Sequence, residues 1–220
     1  MLADWLGALS LDEFRSSYLG KQPIAQPTTA LAARAILDWD GLGRVLAATA
    51  PPPDVLVVAR GALLPFPPPR DLVELRAYMR LGIGLGMRHT QRCDDGLREV
   101  AAAFERDLGE SQVQIFATPA DTHGFSWHYD DEDVFIAQTA GTKDYYFRAN
   151  TVCGETAAHA SVFGRFVDET SPIHTATLIP GDFLYIPARW WHMAKCREDA
   201  LSISVGVFPR GAALAPSSSV

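Results

Sequence analysis

His128-Tyr129-Asp130 sets an imidazole and a carboxylate two residues apart. In extended backbone successive side chains alternate, so this spacing turns both groups to one face. A second imidazole, His192, follows the turn and apolar run Pro180-Gly181-Asp182-Phe183-Leu184-Tyr185-Ile186-Pro187, which returns the chain beside the first segment. Two imidazoles and one carboxylate on one side of a metal leave three positions open, the donor set that suits Fe(II) and O₂. An HxD triplet also arises by chance, and a lone histidine after a strand is most often packed or solvated. Lys143 adds weight to the metal reading. It stands fifteen residues beyond His128, just past Ala140-Gly141, and opens Lys143-Asp144-Tyr145-Tyr146-Phe147. An inward lysine beside Tyr145 and Phe147 would be a costly buried cation unless it met an anion. Its alternative is a hairpin-end side chain in water.

The elements that must position these groups follow from shifts in periodicity. The first 50 residues read as helical. Ser10-Leu11-Asp12-Glu13 fits a capping box, and a second helix is expected over Gly41 to Ala50, ended by Pro51-Pro52-Pro53. Val55 to Arg60 reads as a buried strand, Asp71 to Arg80 as a helix, Leu81 to Met87 as extended, and Asp94 to Leu108 as a longer helix. From residue 112 short β-rich runs take over: Val113 to Thr118, Asp133 to Thr139, Lys143 to Ala149, His174 to Leu178, Asp182 to Ile186, His192 to Cys196 and Leu201 to Phe208. Many short strands at close spacing predict a mainly β fold with N-terminal α, a jelly roll or double-stranded β-helix under a helical layer. The expected division is 1–110 as a helical part whose strands complete the core, 111–209 as the metal-binding β core, and 210–220 as a flexible tail.

Composition narrows the function classes. The chain has 220 residues, 19 Lys+Arg against 26 Asp+Glu, and a formal charge of −7. That balance argues against nucleic acid as a partner, since a broad footprint needs basic charge on one face. No apolar run approaches the ~20 residues of a membrane span, and Met1-Leu2-Ala3-Asp4 lacks the basic start of a secretory signal, so the chain reads as cytoplasmic with no membrane partner. Cys93, Cys153 and Cys196 make an odd number without CxxC spacing and are expected to be reduced thiols.

The run Thr118 to Lys143, with HYDD, VF, Q, G and K in register, resembles the core of the JmjC/cupin-like 2-oxoglutarate oxygenases, most closely the branch of the ribosomal-protein hydroxylases. Leu178 to Pro187 leading to His192 is similar to that family's distal-histidine segment, and weaker similarity extends through Leu11 to Ile24 and Gly82 to Phe116. The resemblance implies a cupin/JmjC-type fold, with His128, Asp130 and His192 as Fe(II) ligands and Lys143 on the distal carboxylate of the cosubstrate 2-oxoglutarate. It implies a hydroxyl beside that carboxylate at Ser204, with Ser202 as the alternative. Gln114 stands where many relatives carry an asparagine near the cosubstrate, and Phe116 where they often carry tyrosine. The implied reaction consumes O₂ and 2-oxoglutarate, yields succinate and CO₂, and hydroxylates an unactivated C–H bond.

The ribosomal hydroxylases continue into dimerisation and winged-helix regions, whereas this sequence ends soon after its β core. The expected substrate is accordingly an amino acid, free, carrier-bound or in a peptide, taken in a pocket lined by loops around His123 to Trp127 and Arg189 to Trp191. Asp131 or Asp133 is expected to meet a cationic group. His123 is a candidate entrance residue, and Cys196, which shares strand parity with His192, is a small buried thiol or a fourth soft ligand. His89, His159 and His174 have no partner at ligand spacing. Two other readings compete: a metal-binding cupin with no use for Lys143 and 2-oxoglutarate, and an inactive binding module.

Overall fold

Two antiparallel sheets face each other in the computed structural model, which describes residues 1–49, 52–152 and 166–208. In spatial order the large sheet contains β1 (Ile24–Gln26), β9 (Phe183–Ile186), β6 (Asp133–Ala140), β11 (Ala200–Val207), β5 (Ser111–Thr118), β4 (Gly84–Arg88), β2 (Asp54–Ala59) and β3 (Ala62–Leu63). The small sheet contains β10 (Trp191–Cys196), β7 (Lys143–Arg148) and β8 (His174–Leu178). This is the double-stranded β-helix expected from the sequence.

Strand parity divides the interior in two. Val113, Ile115 and Ala117 of β5, Phe135 and Ala137 of β6, Phe183 and Tyr185 of β9, and Leu201, Ile203, Val205 and Val207 of β11 all enter one apolar core under the helices. The alternate residues, Val134, Ile136, Leu184 and Ile186, meet Tyr145, Phe147 and Leu178 of the small sheet in a second core. Both faces of β6 and β11 are therefore buried along almost their whole length.

The helical layer consists of α1 (Leu2–Leu6), α2 (Leu11–Ser17), α3 (Ala33–Ile36), α4 (Trp39–Leu46), α5 (Leu72–Met79) and α6 (Asp95–Asp107). Ser10, Asp38, Asp71 and Asp94 cap the amino ends of α2, α4, α5 and α6, each accepting a backbone N–H two or three residues on. Trp5 and Phe14 anchor this layer: Trp5 meets Phe104 edge-on at 5.3 Å, and Phe14 meets Tyr185 at 4.9 Å. Among the described residues no helix is long and apolar enough to cross a membrane.

Several expectations need correction. The first 50 residues are not all helical, because β1, flanked by Pro23 and Pro27, pairs with β9 at the sheet edge. The helix placed over Gly41 to Ala50 starts earlier, after the Asp38 cap, and ends at Leu46. Leu81-Gly82 closes α5 in a turn, with Gly82 at φ 75°, and the extended segment begins only at Gly84. The Ala140-Gly141 turn is no hairpin: it is a corner at which the chain leaves the large sheet in β6 and enters the small sheet in β7. Cys153, His159 and the 210–220 tail lie outside the described residues.

Candidate metal centre

The two histidines are brought together by backbone. His128 N–H donates to the His192 carbonyl at 3.1 Å, and His192 N–H donates back to His128 at 2.8 Å. Such a mutual pair sets both residues opposite each other with their side chains on one face. The imidazole centroids lie 4.3 Å apart. The connector from β5 to β6 reaches this position by running along the free edge of β10: Asp121 N–H donates to the Cys196 carbonyl, Cys196 N–H to Thr122, and His123 bridges Lys195. Asp130 lies outside any regular strand, so alternation holds here without a continuous strand. Tyr129 and Trp191 take the opposite face, packed edge-on at 5.1 Å and buried.

The donor set fits a metal. His128 Nδ1 lies 2.7 Å from the Ser126 carbonyl and His192 Nδ1 lies 3.0 Å from that of Trp190. A carbonyl only accepts, so each Nδ1 carries a hydrogen, which leaves Nε2 as the ligating atom and holds the ring in place. Asp130 Oδ2 is 3.4 Å from His192 Nε2 and 3.9 Å from His128 Nε2, and one donor atom from each of the three residues lies within 4.8 Å of the others. Burial, then the neighbouring His192, pushes His128 down to about 4, keeping it neutral. At His192 burial pulls the same way, but the hydrogen bond and charge of Asp130 outweigh it and raise the group.

The triad opens on a cavity with about 90 Å³ of room for water centres. At roughly 10–15 Å³ per water that is space for a small organic molecule. Lys143, 4% exposed, lines the same cavity, and Tyr145 and Phe147 face inward with it as expected. Its Nζ lies 3.3 Å from Ser202 Oγ and 6.0 Å from the Phe116 ring, and burial lowers its pKa. Ser202 and Ser204 both line the cavity; the lysine bond goes to Ser202. Tyr145, also in the wall, shares Ser202 and is pushed up by burial.

Gln114 reaches the wall, but its Nε2 donates to Glu132 Oε1 at 2.8 Å, while Gln112 Nε2 donates to Oε2 at 2.7 Å. Glu132 was hidden in an apparently solvated acidic run. It is 7% exposed, and burial, then the charge of Asp130, raises its pKa to about 7. Its neighbours differ. Asp133 is turned away from the cavity, buried where the Tyr185 hydroxyl and the Ala188 N–H both donate to it, so it does not await a cationic group. Asp131 lies on the surface, 3.4 Å from Arg189.

Of the two loops expected to line the pocket, Gly124, Phe125 and His128 do so and the Arg189 to Trp191 corner does not, because Trp191 fills core and Arg189 lies over the Tyr129 ring. His123 is absent from the lining, as is Cys196, a buried thiol whose pKa burial raises. His89 caps a short 3₁₀ turn in a left-handed conformation, and His174 stacks on Phe147.

Ribosomal oxygenase 1 of Bos taurus is 28% identical over 135 residues, 60% of this chain and 20% of that protein. The bifunctional lysine-specific demethylase and histidyl-hydroxylase NO66 of Drosophila pseudoobscura pseudoobscura is 33% identical over 93 residues, 42% of this chain and 10% of its own length. The chain thus spans a fifth or less of these two relatives. The structure of YcfD, a ribosomal oxygenase from Escherichia coli, in complex with cobalt and 2-oxoglutarate superposes with a TM-score of 0.59 at 18% identity, covering 90% of this chain and 51% of that one, and so shares its fold. The description of the JmjC domain matches residues 87–213, more than half of the sequence, and the chain belongs to the JmjC domain family.

Proposed function

We propose that this chain is an Fe(II)/2-oxoglutarate-dependent oxygenase that hydroxylates an unactivated C–H bond of an amino acid, free, carrier-bound or within a peptide or protein. One observation carries the reading: the two Nε2 atoms and the Asp130 carboxylate converge on the same cavity into which Lys143 is buried. A metal cupin without a 2-oxo acid has no use for that lysine, whose burial is unfavourable until an anion meets it. The names of the relatives, ribosomal oxygenase and histidyl-hydroxylase, support the hydroxylase class.

His128, Asp130 and His192 would hold the iron, which when bound supplies the oxidative chemistry that no side chain has. The residues do the rest. Carbonyls of Ser126 and Trp190 fix the tautomers, Lys143 with Ser202 and Tyr145 would receive the distal carboxylate of the 2-oxo acid, Ser204 lines the same cavity, and Phe116 and Phe125 exclude water. Gln114 would contribute to the wall, its amide nitrogen being engaged by Glu132. The chain would be a single JmjC/cupin-like unit, residues 1–110 adding β1 to β4 and the helices, in the cytoplasmic setting expected from its sequence.

Anaerobic titration with Fe(II) and then 2-oxoglutarate tests it. The visible charge-transfer band of the chelate should appear in the intact protein and be absent from His128→Ala. Stoichiometric iron with no such band would favour the plain cupin.

A further inference from the structure

We infer that Glu132 forms, with Gln112, Gln114 and Gly206, a built subsite for a cationic nitrogen group of the substrate, in the cavity that Lys143 also lines. The inference rests on the oxygenase reading above and deepens it.

The four residues are assembled by register. Gln112 lies opposite Gly206 and Gln114 opposite Ser204 where β5 pairs with β11, and Val134, two residues beyond Glu132, lies opposite Gly206 on the other side. Glu132 therefore enters over the β5–β11 pair. Gly206 makes the room: a Cβ at that position would collide with the Glu132 carboxylate, all three of its nearest atoms belonging to that group. The strand reads Ser202-Ile203-Ser204-Val205-Gly206, serines facing the cavity until a glycine is needed to admit a carboxylate.

Both carboxylate oxygens are held, each by one amide N–H. A carboxylate has about four lone-pair positions, so two remain for a ligand. The holding groups are neutral, and among the described residues no lysine or arginine pairs with Glu132. Its charged neighbours are Asp130, of like sign, and His192. A buried carboxylate fixed by neutral donors beside a second carboxylate keeps its charge only when a cation completes it, and otherwise takes up a proton. The metal would serve Asp130, leaving Glu132 for something else.

Position identifies what that is. Ser202, which bonds Lys143, and Gly206, which makes room for Glu132, are four residues apart on β11, roughly 13 Å at ~3.3 Å per residue. One cavity is thus lined by Lys143, by Glu132 and by the donor triad, whose Asp130 and His192 are the charged neighbours of Glu132. With a divalent metal, Asp130, Lys143 and a dianionic 2-oxo acid in place, the formal charges cancel. Glu132 then leaves one negative charge over, on the side away from the distal carboxylate. A substrate group with an ammonium or guanidinium balances it, and a neutral isostere does not.

The test is calorimetric binding to the Ni(II)-loaded protein, with and without 2-oxoglutarate. Two matched pairs serve as probes: Nα-acetyl-arginine amide against Nα-acetyl-citrulline amide, and Nα-acetyl-lysine amide against Nα-acetyl-norleucine amide. In at least one pair the cationic member should bind tenfold or more tightly, and Glu132→Gln should bring that ratio near one. Glu132→Leu, of similar volume, repeats the measurement if the glutamine variant does not fold. Ratios near one in the unmodified protein, binding by none of the probes, or a preference that survives removal of the carboxylate would each overturn the inference. Failure of 2-oxoglutarate to bind would count instead against the oxygenase reading, while the ratios measured without it still judge the subsite.

Discussion

At Lys143 the cost of burial and the value of a partner can be compared directly. A charge-assisted hydrogen bond to a carboxylate contributes roughly 1.5–3 kcal/mol, or about ten- to 150-fold in affinity. Lys143→Ala should therefore raise the KM for 2-oxoglutarate within that range and leave the KM for the hydroxylated substrate nearly unchanged, as steady-state succinate formation will show. Glu132 gives a second expectation, in the metal-free protein. Its pKa is raised from 4.5 to about 7 by burial and then by Asp130, so its contribution to stability is fully present below about pH 4.5 and is lost as pH rises to 7. His128, lowered from 6.5 to about 4, slopes the other way over much of that interval. The two partly cancel in the unmodified chain. Urea unfolding of Glu132→Gln should uncover the histidine slope, with stability relative to the parent rising by at most about 1.4 kcal/mol per pH unit between 4.5 and 7; a constant difference across those pH values would contradict the assignment. At this scale the clustering of His128, Asp130 and His192 and the inward burial of Lys143 were legible, because their types are rare and their spacing is specific. Glu132 was not, since four consecutive acidic residues, Asp130 to Asp133, look alike in sequence while the fold sends them in different directions.

Helix positions were read to within a few residues because caps are local chemistry: Ser10, Asp71 and Asp94 each meet a backbone N–H two or three residues away. Sheet membership is not local. The polar alternation of β5 and β11 looks like a solvent face, yet Gln114, Ser202 and Ser204 line a cavity because a second sheet lies over them, and Gln112 turns to the buried Glu132. The same cause hid the corner at Gly141. Gly141 has φ 66°, and a Cβ there would strike the backbone of Asp199 and Ala200, where the chain passes from β6 to β7. Neither a left-handed alanine nor a shift of β11 is cheap. Gly141→Ala is expected to lose about 2 kcal/mol or more in urea unfolding. Since the corner sets where Lys143 begins β7, the variant should also weaken 2-oxoglutarate binding more than metal binding.

Across the whole molecule one set of strands serves two purposes, burying aromatic and aliphatic side chains under the helices on one face and presenting polar groups to the cavity on the other. Phe14, fully buried against Phe135 and Tyr185, belongs only to the first. Phe14→Ala should cost about 3–5 kcal/mol of stability, with the metal donors unmoved because they stand on β10 and its neighbouring connector, across the second core. A metal that binds only the folded state restores stability by mass action, about 2.7 kcal/mol at a concentration 100-fold above its dissociation constant. Mn(II) at that ratio should then recover about that much of the loss in Phe14→Ala, while the double variant with His128→Ala should recover none. Equal recovery in both variants would mean that the ion acts elsewhere on the surface. No recovery in the single variant would mean that the helical layer and the metal centre do not fold independently of one another, and that the burial under α1, α2 and α6 positions the ligands directly.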